Sequence, residues 1–197
     1  MADVAGTASL TLRMLAGGRL ALVARRGPVA AIDRFGRPSH KRAMRYFEDV
    51  EVGATASFGR YEVTREEVVD FASKYDPQPF HLSDEAAAKT YFGRVSASGW
   101  HTCAMTMGML VENMKGSEQA GLGSPGVDSL RWLKPVYPGD TLRCETEVIE
   151  TKRSRSRPEM GSFKSTVRVF NQHDEQVLEL QSIGLIRVRD PAAASAD

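Results

Sequence analysis

Trp100-His101-Thr102-Cys103-Ala104-Met105-Thr106-Met107-Gly108-Met109-Leu110-Val111-Glu112-Asn113-Met114-Lys115 carries apolar side chains on nearly every helical face. A surface helix keeps one polar side, so this run predicts a helix buried all round. Gly116 is placed to cap its C-terminus, and Lys115 suits the negative end of the helix dipole. Downstream, alternating segments at 130–133, 141–152, 161–170 and 176–188 read as strands, with turns at Pro138-Gly139 and residues 171–175. Upstream, residues 58–63 alternate like a strand, and Thr64-Arg65-Glu66-Glu67 forms a capping box for a helix that presents Val68, Phe71, Ala72 and Tyr75 on one face. One strand, then helices, then four strands gives an α+β chain with an antiparallel sheet wrapped on one central buried helix.

The chemistry lies just before that helix, in Tyr75-Asp76-Pro77-Gln78-Pro79-Phe80-His81. Each proline pushes its predecessor out of the α region, so Asp76 and Gln78 should be extended or in a turn, and no helix should run through the stretch. Asp76 and His81 then sit on a stiff bend that aims a carboxylate and an imidazole at one point, as a shared water or substrate proton requires. Elsewhere such a pair reads as a solvated turn Asp and a packed His. Ser83 or Asp84 can cap a second short helix through residues 86–88.

The surroundings of the pair resemble the hydratase 2 motif of MaoC-like dehydratases and (R)-specific enoyl-CoA hydratases. That motif reads Asp-x-Asn-Pro-aliphatic-His followed by a small residue; here Asp76, Gln78, Pro79, Phe80 and His81 occupy it, with Ala86 as the small residue. Gln78 replaces the Asn and Phe80 the aliphatic residue, departures that bear on substrate preference. The resemblance runs from about Met44 to Arg189 and includes Pro135-Val136-Tyr137-Pro138-Gly139-Asp140-Thr141-Leu142. It implies a single hot-dog domain over 44–190, catalysis by Asp76 and His81, and reversible hydration of a 2-enoyl-CoA to an (R)-3-hydroxyacyl-CoA. It also implies a homodimer of sheets joined edge to edge. Coenzyme A enters as a handle on the substrate rather than as a cofactor, and an acyl carrier protein can present the same arm. A hot-dog acyl-CoA thioesterase and a non-catalytic acyl-thioester-binding module are the rival readings.

Other candidates have two readings each. Gly99 lets backbone N–H groups approach a thioester oxyanion, or it only permits close packing. Ser98 is an N-cap or a donor to substrate, and Gln78 joins it as a substrate-binding candidate. Lys152-Arg153-Ser154-Arg155-Ser156-Arg157 holds four positive charges in six residues. It is a solvated hairpin tip or, through Arg153 and Arg155, a landing site for coenzyme A phosphates; Arg94 is a further phosphate candidate. His101 reads as a packed histidine against a second acid or base. The glycine-rich stretch 116–126 lacks the Lys-Ser/Thr ending of a phosphate loop and reads as a mobile connector that could cover the acyl pocket.

Composition excludes other classes. With 42% hydrophobic and 26% charged residues in 197, this is an ordinary globular chain of single-domain size. The net charge of +1 hides eight Arg or Lys against two Asp in residues 1–43, which leaves the body acidic and argues against nucleic acid. Cys103 and Cys144 have no metal-ligand spacing and read as buried thiols in a reducing cytoplasm. The apolar runs of the first 43 residues are too short to span a membrane. That segment is expected to be a disordered basic arm without strand periodicity that contributes nothing to folding, with translation starting at Met44. A disordered tail is expected over 191–197.

Overall fold

The computed structural model describes residues 9–14, 20–25, 44–115 and 118–192. The chain divides into two compact units, residues 1–41 and 42–197. In the first, β1 (Ser9–Met14) pairs antiparallel with β2 (Leu20–Arg25), Ser9 opposite Arg25 and Met14 opposite Leu20. The sequence reading, which saw only short apolar runs cut by Arg25 and Arg26, expected no strand there. Leu10, Leu12 and Met14 in fact alternate with polar residues, the period a strand needs.

The second unit holds β3 (Thr55–Glu62), α1 (Arg65–Tyr75), α2 (Pro79–Leu82), α3 (Asp84–Ala87), α4 (Gly99–Met114), β4 (Gly121–Trp132), β5 (Thr141–Arg153), β6 (Met160–Phe170) and β7 (Gln176–Arg187). Its five strands form one antiparallel sheet in the order β3-β5-β6-β7-β4. The core lies between α4 and the sheet, with Met105 and Met109 packed among Leu142, Cys144, Val167, Val169, Leu178 and their neighbours. This is the expected hot-dog arrangement. Gly59, at φ +86°, sits in the irregular pairing between Phe58 and Tyr61, and a Cβ there would lie 2.6 Å from the Met109 sulfur. A left-handed residue without a side chain is what lets α4 settle on β3.

Three expectations need correction. α4 is not buried all round: Trp100, Met107, Val111 and Met114 are exposed, because the sheet covers only one side of the helix. The glycine-rich stretch is not a loose connector, since from Gly121 it pairs with β7 as an edge strand. Its register shifts fall between Gly121 and Gly123, between Gly123 and Gly126, and between Val127 and Ser129, and an edge strand tolerates Pro125 and such bulges. Gly121 and Trp132 are thus the two ends of one strand. Finally, the proline-rich bend does contain a helical turn. Pro79 stands at the first position of α2, where a missing N–H costs nothing, so His81 projects from a single turn of helix. Asp76 and Gln78 are outside the α region as expected. The C-cap of α4 is Lys115; the expected cap at Gly116 lies outside the described residues, as does the tail beyond Ala192.

Candidate active site

Asp76 is the C-cap of α1, its N–H donating to Ala72 O at 2.9 Å. The chain turns at once, with Gln78 N–H on Asp76 O at 2.7 Å and His81 N–H on Gln78 O at 2.9 Å. This brings Asp76 Oδ2 to 3.5 Å from His81 Nε2. The other ring nitrogen of His81 lies 2.7 Å from the carbonyl oxygen of Ser96. A carbonyl only accepts, so Nδ1 carries a proton, and Nε2 is the ring nitrogen that faces Asp76.

The carboxylate is equally fixed. Oδ2 accepts from Ser98 Oγ at 2.7 Å and Oδ1 from Gln78 Nε2 at 2.8 Å. The Ser98 hydroxyl first, then the Gln78 amide and the charge of His81, hold the Asp76 carboxyl below its usual range, against an opposing effect of burial. The dyad therefore sets a stabilised carboxylate beside Nε2 of the His81 ring. His81 is 6% exposed at its side chain and Asp76 19%, so the carboxylate is the more open half of the pair. Phe80 packs edge-on to His81 and stacks on Phe92, centroids 4.5 and 4.9 Å apart, which fixes the bend from the other side.

Ser98 caps α4 by accepting from Trp100 N–H at 3.2 Å while donating to Asp76. It ties the helix N-terminus to the dyad. Gly99 is the first residue of α4, where a backbone N–H has no intrahelical acceptor. A Cβ on Gly99 would also lie 2.5 Å from the Trp132 indole, so close packing independently demands glycine. Gln78 is engaged with Asp76 and belongs to the dyad's support. Arg94 lies over the Tyr137 ring, 4.1 Å from its centroid. Arg153 and Arg155 sit elsewhere, at the far end of β5. The Arg153 guanidinium donates to the carbonyls of Pro158, Asp190 and Pro191 at 3.2–3.5 Å, while Arg155 is exposed.

Sequence reasoning missed a second polar cluster. Glu67 is not a capping-box partner alone: its carboxylate accepts from the Tyr61 hydroxyl and lies 3.5 Å from His101 Nε2. Burial, then the Glu67 contact, pushes the Tyr61 hydroxyl up to about 12. His101 is buried, stacks on Phe71 with centroids 4.6 Å apart, and is held below its ordinary value by burial against the pull of Glu67. It is a packed histidine joining α4 to α1. No group of three or more metal-ligating side chains occurs among the described residues.

Residues 48–169 match the family model described as a MaoC like domain. The chain belongs to this family. Among curated proteins it is 32% identical over 154 residues to a 3-hydroxybutyryl-CoA dehydratase of Methylorubrum extorquens, covering 77% of this chain and 88% of that one. Among solved structures it is similar to a MaoC-like dehydratase from Rhodospirillum rubrum, at 35% identity and a TM-score of 0.67, over 74% of this chain and 99% of that one. It is also similar to an (R)-hydratase from A. caviae involved in PHA biosynthesis, at 27% identity and a TM-score of 0.54, over 70% and 97% of the two chains. In this MaoC-like domain, the matched span contains Asp76, His81, Ser98 and Gly99.

Proposed function

We propose that this MaoC-like protein hydrates a 2-enoyl thioester to the (R)-3-hydroxyacyl thioester and catalyses the reverse dehydration. The observation that carries the reading is a stabilised Asp76 carboxylate 3.5 Å from Nε2 of His81, whose Nδ1 is anchored on the Ser96 carbonyl. A water held by both donates one proton towards each and presents its oxygen to C3. The proton passes to His81 Nε2, because a carboxylate already accepting two hydrogen bonds is the poorer proton carrier, and Asp76 stabilises the imidazolium that forms. As the C–O bond closes, the C2=C3 electron pair moves into the thioester as an enolate, whose oxygen the free N–H groups at the start of α4 stabilise. The imidazolium returns the proton to C2 on the same face, and the dyad ends as it began. Addition of water is redox-neutral, so coenzyme A is needed only as the handle of the substrate.

The acyl group is carried by coenzyme A or an acyl carrier protein, and the protein acts as a homodimer in the cytoplasm. No helix among the described residues is long and apolar enough to cross a membrane. Trp100, Met107, Val111 and Met114 form an exposed stripe on α4, and Trp100 meets the exposed Trp132 of the β4 edge in an edge-to-face contact, centroids 5.3 Å apart. Such an exposed apolar stripe supports burial against a second copy. Light scattering should give twice the subunit mass; an active monomer at micromolar concentration would remove the dimer.

Incubation with crotonyl-CoA tests the reaction itself. Loss of the conjugated-thioester absorbance with no free thiol released supports hydration, whereas thiol released in step with substrate loss identifies a thioesterase. Saturable binding with no turnover of either kind identifies a binding module.

Ser98→Ala gives a pH test with a definite sign. The Ser98 hydroxyl is the foremost cause of the depressed Asp76 pKa, so its removal raises that pKa and moves the acid limb of kcat/KM to higher pH. Loss of the cap should also cost about 1 kcal/mol of stability. Because the folded pKa is the lower one, the ionised Asp76 contributes stability above the ordinary value of 3.8 that fades as pH falls through its folded pKa. At neutral pH the two effects are separable. An unshifted acid limb would show that Asp76 does not set it.

A further inference from the structure

The proline-rich bend does not hold the His81 ring by itself. Nδ1–H donates to the Ser96 carbonyl at 2.7 Å, and the Ser96 hydroxyl, 3.5 Å from the same nitrogen, is too distant to take its place. Ser96 belongs to the irregular connection between α3 and α4, residues 88–98, in which Tyr91, Gly93 and Arg94 are exposed. Gly93 stands at φ +69°, and a Cβ there would meet nothing within 4 Å. So open a stretch keeps an acceptor in place only where something outside it ties it down.

The ties come from two sides. Val95 N–H donates to the carboxylate of Asp84, on α3, at 2.8 Å. On the other side, Ala97 N–H donates to Val136 O at 2.8 Å, and the Tyr137 hydroxyl donates to Phe92 O at 3.1 Å. Val136 and Tyr137 are themselves fixed. Tyr137 N–H donates to the carboxylate of buried Asp140 at 2.8 Å, and Asp140 N–H returns to Tyr137 O at 3.0 Å. Val63 N–H on Asp140 O at 2.9 Å and Gly139 N–H on Val63 O at 2.8 Å join this turn to the end of β3. Arg94 lies over the Tyr137 ring, 4.1 Å from its centroid, and holds the ring from the outside.

Tyr137 thus grips the connection at Phe92, and residues 93–96 lie between that grip and the Ala97 bond. Ser96 closes this span, and Phe92 begins it with a ring that stacks on Phe80 and lies 6.1 Å from the His81 ring. If the span loosens, the Ser96 carbonyl can withdraw, and the imidazole regains the broad rotation about Cβ–Cγ that an unanchored ring has.

We propose that Tyr137 is a positioning residue for His81: its hydroxyl fixes the 92–97 span, and through it the Ser96 carbonyl that keeps Nε2 turned to the water shared with Asp76. This deepens the hydration reading above and rests on it. The phenol takes no part in proton transfer.

Tyr137→Phe tests it in the full chain, because it removes the hydroxyl and leaves the ring beneath Arg94. With crotonyl-CoA, kcat should fall roughly 2- to 10-fold, the worth of one hydrogen bond, while KM stays within about twofold. Nuclear magnetic resonance of protein labelled with 15N-histidine reads the ring directly. The Nδ1 proton of His81, assigned by its absence from His81→Gln, should exchange slowly with water in the native protein and faster in Tyr137→Phe by a factor of the same order. Tyr137→Leu, which also removes the ring that Arg94 covers, should exchange faster still. An unchanged exchange rate would overturn the proposal whatever happens to kcat. Faster exchange with unchanged kcat, or a change confined to KM, would overturn the positioning role. Faster exchange in a protein that hydrates no enoyl thioester even as wild type would support the tie to His81 while sinking only the hydration reading.

Discussion

Asp76→Asn and His81→Gln should each lower kcat/KM for a short 2-enoyl-CoA by roughly 10²- to 10⁴-fold, the contribution of a positioned proton-transfer group. On the proposed mechanism the two act on one water through atoms 3.5 Å apart, so the double variant should be little worse than the weaker single one. The replacements differ in what they leave behind. Asn retains an oxygen for the Ser98 hydroxyl but carries no charge, so it orients the water without stabilising an imidazolium. Gln can still reach towards the Ser96 carbonyl but cannot accept a proton. The loss should therefore be larger in kcat than in KM for both, and thermal unfolding should stay close to wild type because neither change alters side-chain volume much. Wild-type turnover by either single variant would remove the dyad from the chemistry. Multiplicative losses in the double variant would show two independent roles instead of one shared water.

The bend that carries this pair was legible because its determinants are local. Two prolines dictate the backbone of Asp76 and Gln78, and the spacing to His81 does the rest. The same holds for α1, whose Thr64 cap is observed with Glu67 N–H, and for the long strands, whose alternation is independent of partners. What the sequence hid is tertiary. Ser98 reaches Asp76 across 22 residues and Ser96 fixes the His81 tautomer across 15, and no periodicity marks either. Glu67 looked like a capping residue because its spacing from Thr64 is right, yet Tyr61 and His101 compete for the carboxylate once the helix docks. The glycines of β4 read as a connector because local propensity knows nothing of β7 waiting to pair with them. Nor could α4 announce its exposed stripe, since an apolar residue left exposed and one facing the core look alike in sequence.

Gly99→Ala should destabilise the fold by about 1–3 kcal/mol, because the new Cβ would lie 2.5–2.8 Å from three atoms of the Trp132 indole. At this chain length the melting temperature should drop roughly 2–10 °C. Trp132 is half exposed, so the ring has room to turn, which favours the lower part of that range. Activity should fall as well, since Ser98, the donor to Asp76, is the adjacent residue and any shift of the α4 N-terminus stretches that 2.7 Å bond. The substitution keeps the backbone N–H. A glycine that serves only as an oxyanion donor would tolerate it, and a glycine that serves only packing would lose stability without losing kcat. Trp132→Ala separates these roles when added to Gly99→Ala: removing the indole abolishes the collision, so the double variant should recover stability relative to the sum of the two single changes. Recovery of kcat in the same variant would trace the activity loss to displacement of the helix start, with the N–H groups intact. Persistent loss of kcat despite recovered stability would mean that the Gly99 backbone conformation itself, and not its clearance from Trp132, is what the enolate oxygen requires.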